Sequence, residues 1–275
     1  MFPVFPVTSV DILIKSVPWF FLQPWKTLKK LIIALGSMNI EYKELKPLNV
    51  KGATTIIGFP TAGLVGSIAA SYLATKLDME MVGYFTSEKI PPVTAIHEYK
   101  PLPPLRIYVS KKHKLVVVLS EIVTPISISS EMADAIRKIA IKLKSPLVIT
   151  LGGISMHQKE NAVYGISTNQ ELVLSLEKRK YIERVKEGAT TGVAGLLLTP
   201  GMIKSPVLAL LAETLEEQPD PRAAANVLKV ISKMLKIKLN TNELEEEAEI
   251  LSRATKEAVL SSKTVKRKQT GHMYG

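Results

Sequence analysis

The sequence contains no cysteine, which excludes disulfides, thiolate metal sites and a cysteine nucleophile. A reducing interior is the natural compartment, so a cytoplasmic location is expected. Histidine is scarce. His97, His113, His157 and His272 are the whole set, and none lies within helical ligand spacing of another. No metal centre is expected. Long apolar runs are also missing. Within residues 1–37 the longest uncharged stretches, 1–10 and 16–25, fall well short of the roughly 20 apolar residues a spanning helix requires, so no stable membrane insertion is expected. A signal peptide fits poorly, because no basic segment comes first and no small-residue cleavage site follows.

Aromatic residues make up only 6% of the chain, and they do not interleave with basic residues in a stripe. That argues against a nucleic-acid partner in spite of the net charge of +11. The basicity is also misplaced for such a role. Residues 1–37 carry four lysines and one aspartate, and residues 251–275 carry six basic residues and one glutamate. This leaves only +3 of the total +11 for residues 38–250. The charge sits at the two ends.

What is present is apolar material: 46% of 275 residues, enough for one large or two small cores. Residues 1–37 stand apart, being proline-punctuated and containing Trp19, Phe20, Phe21 and Trp25. Trp25, Leu28, Ile32 and Leu35 share one helical face, which permits a membrane-surface helix. A start of translation at Met38 accounts for the same segment and is the preferred reading.

From Met38 onward the pattern is α/β. Strands are predicted at 54–57, 81–85, 105–110, 115–119, 146–151, 163–167 and 192–198. The run 115–119 is wholly apolar, as a buried central strand should be. Helices are predicted over 64–77, from a cap at Ser130 through Leu143, and from Asp220 at the N-cap with Pro221 behind it to about Lys236. Asn240 and Glu243 suggest a capping box for a last helix reaching about Ser262. Strands alternating with helices imply a three-layer α/β domain followed by a helical C-terminal segment.

Two glycine turns follow predicted strands. The first, Gly58-Phe59-Pro60-Thr61-Ala62-Gly63-Leu64-Val65-Gly66, could hold a phosphate on backbone amides at a helix start. It lacks the lysine of a phosphate-cradling loop and the G-x-G pair of a dinucleotide fingerprint, and Pro60 removes an amide. The second, Gly152-Gly153, ends a buried strand where ligands of open sheets sit. Tight turns with close packing explain Gly58, Gly63, Gly66, Gly152 and Gly153 equally well. Ser155, His157 and Glu160 are near one another in sequence, but nothing orders them as nucleophile, base and orienter. No serine sits in a G-x-S-x-G elbow. No catalytic residue and no cofactor is expected. Glu216-Glu217 and Glu245-Glu246-Glu247 read as solvated helical faces.

The last three residues are the most informative. Met273-Tyr274-Gly275 follows a lysine-rich stretch, 261–271, that has little to pack against a core. Such a terminus can enter a socket on another protein. Met273 and the Tyr274 ring bury apolar area, the phenol needs one partner, and the Gly275 carboxylate can pair with a lysine. The basic residues 263–268 would keep the peptide extended and away from the body.

The order of motifs resembles a known family. The glycine turn 58–66, Thr150-Leu151-Gly152-Gly153, Val163-Tyr164-Gly165, Ala212-Glu213-Thr214 and Pro219-Asp220-Pro221-Arg222-Ala223-Ala224 together resemble the archaeal members of the proteasome assembly chaperone family. The resemblance spans about Met38 to Leu260. It implies an α/β/α sandwich like that of purine nucleoside phosphorylases, without their catalytic residues, and self-association into homo-oligomers. It also implies that the tail docks on the α subunits of the proteasome core particle, in pockets between neighbouring subunits, through Met273, Tyr274 and Gly275. The expected organisation is an atypical extension over 1–37, an α/β domain with C-terminal helices over 38–260, and a flexible basic tail over 261–275. The rival expectation is a nucleoside- or phosphate-binding protein or enzyme that uses the glycine turns.

Overall fold

The structure, a computed structural model, describes residues 40–156, 159–214, 218–248 and 250. All of them belong to the chain unit that begins at Ile40. The elements in chain order are β1 (Glu41–Glu44), β2 (Thr54–Gly58), α1 (Val65–Lys76), β3 (Glu80–Thr86), β4 (Ala95–His97), β5 (Lys100–Leu102), β6 (Leu105–Ser110), β7 (Leu115–Ser120), α2 (Ile126–Leu143), β8 (Val148–Ile154), β9 (Val163–Ser167), α3 (Gln170–Lys178), β10 (Glu183–Arg184), α4 (Gly192–Leu198), β11 (Val207–Glu213) and α5 (Pro221–Leu235). Residues 242–248 are again helical.

Nine strands form one mixed sheet in the order β1-β3-β6-β7-β2-β8-β11-β9-β10, and β4 with β5 forms a separate hairpin. The centre is parallel: β7 with β2, β2 with β8, and β8 with β11. Both flanks turn antiparallel, through β6 with β7 on one side and β9 with β11 on the other. Parallel strands are covered on both faces, which is why β7 is buried at all six positions and reads as an unbroken apolar run.

The two faces of the sheet feed separate cores, and alternate strand residues point to each. Ile56, Val117, Ile149 and Leu210 pack with Val65, Ala69 and Leu73 of α1 and with Val227, Leu228 and Ile231 of α5. Ile57, Val116, Val118 and Val148 pack with Met132, Ile136 and Leu143 of α2 and with Val193 and Leu197 of α4. A one-residue slip of any central strand would exchange these sets. Each fully buried branched side chain contributes about 2 kcal/mol relative to exposure.

Four sequence expectations are corrected. Residues 192–198 form helix α4, not a strand, because Val193 and Leu197 are buried one turn apart beneath α2. Short apolar runs do not declare their own period. Helix α2 starts at Ile126, directly after extended Pro125, so Ser130 lies inside it. Ser129 Oγ donates to Pro125 O at 3.2 Å and helps fix that start. Strand β11 and helix α3 fall where neither was expected, although β11 lies between β8 and β9 in the sheet. The residue preceding the 242–248 helix is Thr241, whose O accepts from Leu244 N, while Asn240 Oδ1 accepts from Asn242 N. By contrast, the predicted cap of α5 is in place: Asp220 Oδ1 accepts from Ala223 N at 2.9 Å, with Pro221 next.

Candidate functional site

Three of the sequence motifs meet at the carboxyl ends of β2, β8 and β11. Gly153 N donates to Thr61 Oγ1 at 3.0 Å. Asp220 N donates to Gly63 O at 2.8 Å, and Thr214 Oγ1 donates to Asp220 Oδ2 at 2.7 Å. The turn 58–66, the Gly152-Gly153 step and the cap of α5 thus form one hydrogen-bonded junction.

The glycines in it are packed against one another. A Cβ on Gly66 would lie 2.3 Å from Phe59 O and 2.5 Å from Leu151 O, and one on Gly58 would lie 2.2 Å from both Ala70 Cβ and Gly66 O. On Gly153 it would lie 2.2 Å from Ala62 O, and on Gly152 it would meet Leu211 and Thr61 at 3.1 and 3.2 Å. Gly63 is left-handed, with φ 61°, and its Cβ would strike Thr214 Oγ1. Leu64 continues the left-handed path at φ 51°, immediately before α1, and is partly exposed. A β-carbon-bearing residue there is under strain.

The carboxylates beside this junction are engaged. Glu213 Oε1 accepts from Met156 N at 2.9 Å, and Asp220 accepts from Ala223 N. Burial raises the pKa of the nearby Tyr164 phenol, and the Glu213 carboxylate pushes it further up. Among the described residues, no group of three histidine, aspartate or glutamate side chains could hold a metal ion. His157 lies outside the described residues.

A second cluster, which the sequence reading did not single out, borders the same end of the sheet. Arg106, on β6, is only 1% exposed. Its Nη2 donates to Glu121 Oε1 at 2.6 Å and its Nη1 to Pro103 O at 2.9 Å. His97 Nε2 also lies 2.6 Å from Glu121 Oε1, which ties the β4–β5 hairpin to the end of β7. The hairpin turns on Glu98 and Tyr99, at φ 48° and 65°, where glycine or asparagine is usual. Tyr99 and Ile96 at the hairpin, Val123 on the loop after β7 and Ile126 at the start of α2 are exposed apolar side chains. A lone arginine in an apolar strand, LRIYVS, was the available signal, because a buried charge requires a partner. Glu121 also lines a groove of about 440 Å3 with Leu64, Ser67, Tyr72 and Glu243.

Met273, Tyr274 and Gly275 lie outside the described residues. So do residues 1–39 and 251–275 as a whole, including the candidate surface helix, the basic spacer and the far part of the last predicted helix. Of the sequence-predicted residues, the structure therefore brings together the glycines and leaves the tail undescribed. Among the described residues, no helix is long and apolar enough to cross a membrane.

Comparison with known proteins agrees with this fold. The model of the PAC2 family matches residues 55–259. An uncharacterized protein of Methanocaldococcus jannaschii is 34% identical over 221 residues, covering 80% of this chain and 90% of that protein. The crystal structure of PbaA from Pyrococcus furiosus, described as an archaeal homolog of proteasome-assembly chaperone, aligns with TM-score 0.72 and 34% identity, covering 85% of this chain and 99% of that one. PbaB from Pyrococcus furiosus, described as an archaeal proteasome activator, shares the fold at TM-score 0.69 and 23% identity, covering 80% and 99%. The family match runs from Thr55 in β2 through α5, taking in the parallel centre of the sheet, both sets of covering helices and the glycine junction, and on that basis the chain belongs to the PAC2 family.

Proposed function

We propose that this protein is a non-enzymatic chaperone or adaptor of proteasome assembly, acting in the cytoplasm and binding α subunits of the core particle through its C-terminal tail. The observation that carries the reading is the likeness to PbaA over nearly the whole of that chain. In this reading Met273 fills an apolar shelf, Tyr274 packs its ring and hydrogen-bonds its hydroxyl, and the Gly275 carboxylate pairs with a lysine of the pocket. Residues 38–260 are the body, 261–275 the docking tail and 1–37 an accessory extension. The body associates with itself, and several identical tails raise the effective concentration of each, so individually weak docking becomes useful.

The fold is read as the α/β/α sandwich of purine nucleoside phosphorylases turned to binding. We assign Gly58, Gly63, Gly66, Gly152 and Gly153 to packing. Support comes from the short Cβ distances at the junction, which leave no room for a side chain on Gly58, Gly66 or Gly153 and so account for these glycines by close packing.

The test is binding of the intact chain and of Tyr274→Ala to archaeal proteasome α-rings. Loss of binding on substitution supports the tail as the docking element. Binding that survives it places the interface on the body. No binding by either, together with a raised thermal midpoint in the presence of a nucleoside or nucleotide, restores a small ligand to the glycine turns.

A further inference from the structure

The pole opposite the glycine junction collects lysine. The loops that precede the parallel strands, 45–53, 111–114, 144–147 and 199–206, all lie at the amino ends of β2, β7, β8 and β11, and the helices α1, α2 and α5 end there. Backbone bonds tie these loops to their neighbours: Thr54 N, at the start of β2, donates to Lys114 O at 2.9 Å and Gly52 N to Leu143 O, at the end of α2, at 2.7 Å. Between the β6–β7 turn and the segment after α5 lies a cleft of about 750 Å3. Lys111, Lys112, Lys236 and Lys238 line it with His113, and Asp78 and Glu80 are its acids.

Those four lysines are exposed and form no ion pair among the described residues. Glu80 is already taken by Lys46, and the cleft's other lysine, Lys76, by Glu243. With residues 38–250 carrying only +3 in total, a lysine-rich pole means that the remainder of the body is acidic on balance. The charge is segregated.

Local structure explains part of the pattern. Lys144 and Lys236 are C-caps of α2 and α5, where a cation suits the helix dipole. Both are left-handed, at φ 50° and 54°, and so is Lys114 at 49°. Glycine or asparagine would be less strained at all three, by about 1 kcal/mol each. Lys114 sits in a β-turn and has no helix dipole to complement. Lys111, Lys112 and Lys238 are likewise outside any cap.

We propose that this cleft is a docking site for an acidic segment of a partner protein. An aspartate- or glutamate-rich stretch supplies carboxylates at close spacing, and ammonium groups on long stems meet them with little geometric demand. Nucleic acid is the poorer fit. Among the described residues no arginine and no tryptophan, tyrosine or phenylalanine lines the cleft, so it offers none of the forks and stacking platforms that hold bases and single strands. The site lies on the body and does not depend on the tail, so the two readings fail separately.

The test uses the full chain and a fluorescently labelled oligoglutamate peptide, with binding followed by anisotropy at low and physiological salt. The native chain binds, and affinity falls as salt rises. Combined Lys111→Glu, Lys112→Glu, Lys236→Glu and Lys238→Glu weakens binding by at least about tenfold. Combined Lys138→Glu, Lys178→Glu, Lys180→Glu and Lys186→Glu, the same charge change elsewhere, leaves it within about twofold. Should the first variant not fold by circular dichroism, Lys→Gln at the same four positions gives the same reading. Unchanged binding by the cleft variant overturns the proposal. So does loss of binding on Lys263→Gln, Lys266→Gln and Lys268→Gln in the tail, or tighter binding of oligothymidylate than of oligoglutamate.

Discussion

Gly66 and Leu151 are in backbone contact: a Cβ on Gly66 would lie 2.5 Å from Leu151 O. Helix α1 therefore begins flush against the end of β8, and the first turn of one βα unit is fitted to the strand of the next. Close approach of this kind is available to glycine alone.

Gly66→Ala is expected to destabilise the fold by more than about 2 kcal/mol, since both atoms it would strike are backbone and cannot rotate away. Gly52→Ala is the comparison. Gly52 has open space around it and only a left-handed φ of 74° to satisfy, so its cost is about 1 kcal/mol. Urea denaturation of both variants checks the order. Equal losses would mean that the junction can shift.

Glu121→Ala takes the carboxylate from the buried Arg106 guanidinium and leaves it with the neutral Pro103 O at 2.9 Å and His97 Nε2 at 3.5 Å. An uncompensated buried charge costs about 3 kcal/mol. Replacing both partners, Arg106→Met with Glu121→Leu, is expected to cost less than the sum of the single changes. A double-mutant cycle measures this coupling, and simple additivity would show that the pair is solvated.

The Tyr42 hydroxyl is buried without a hydrogen-bond partner among the described residues, and burial, with Glu44 repelling the anion, holds its pKa up at about 12. The folded state therefore keeps the proton longer than the unfolded state, whose phenol ionises near 10. This contribution is complete below about pH 10 and is lost as pH rises towards 12. Tyr42→Phe is expected to flatten the fall in stability over that window. Ultraviolet titration should also lose one late-ionising phenol. A Tyr42→Phe profile that falls as steeply as the native one refutes the assignment.

One alanine added after Gly275 moves the terminal carboxylate away from its proposed lysine. Affinity for α-rings is expected to fall about tenfold, the scale of one charge-assisted hydrogen bond. Surface plasmon resonance on immobilised α-rings reads the change. An extended tail that binds as well as the native one removes the carboxylate from the contact.

Where a single local rule governed, the sequence was readable. Asp220 before Pro221 named a cap that the structure contains, and Leu115 to Leu119 named a strand covered on both faces. Where two periods fitted the same residues, it was not. Val207 to Glu213 and Gly192 to Leu198 are both short apolar runs, and only the neighbours available to each separate strand from helix. Arg106 stood out as a lone charge in an apolar strand, but its partners were not readable, because Glu121 lies just past β7 and His97 on the β4–β5 hairpin.

The sequence by itself determined the α/β alternation and the order of motifs that marks the PAC2 family. It also carries the terminal Met273-Tyr274-Gly275 on which the proposed docking rests. These are properties of residues close together along the chain. The tertiary structure decided that the glycine turns interlock instead of standing open, that β11 belongs between β8 and β9, and that lysines from separate loops line one cleft. Those facts depend on which distant segments meet, and strand order in the sheet sets that, not any local propensity.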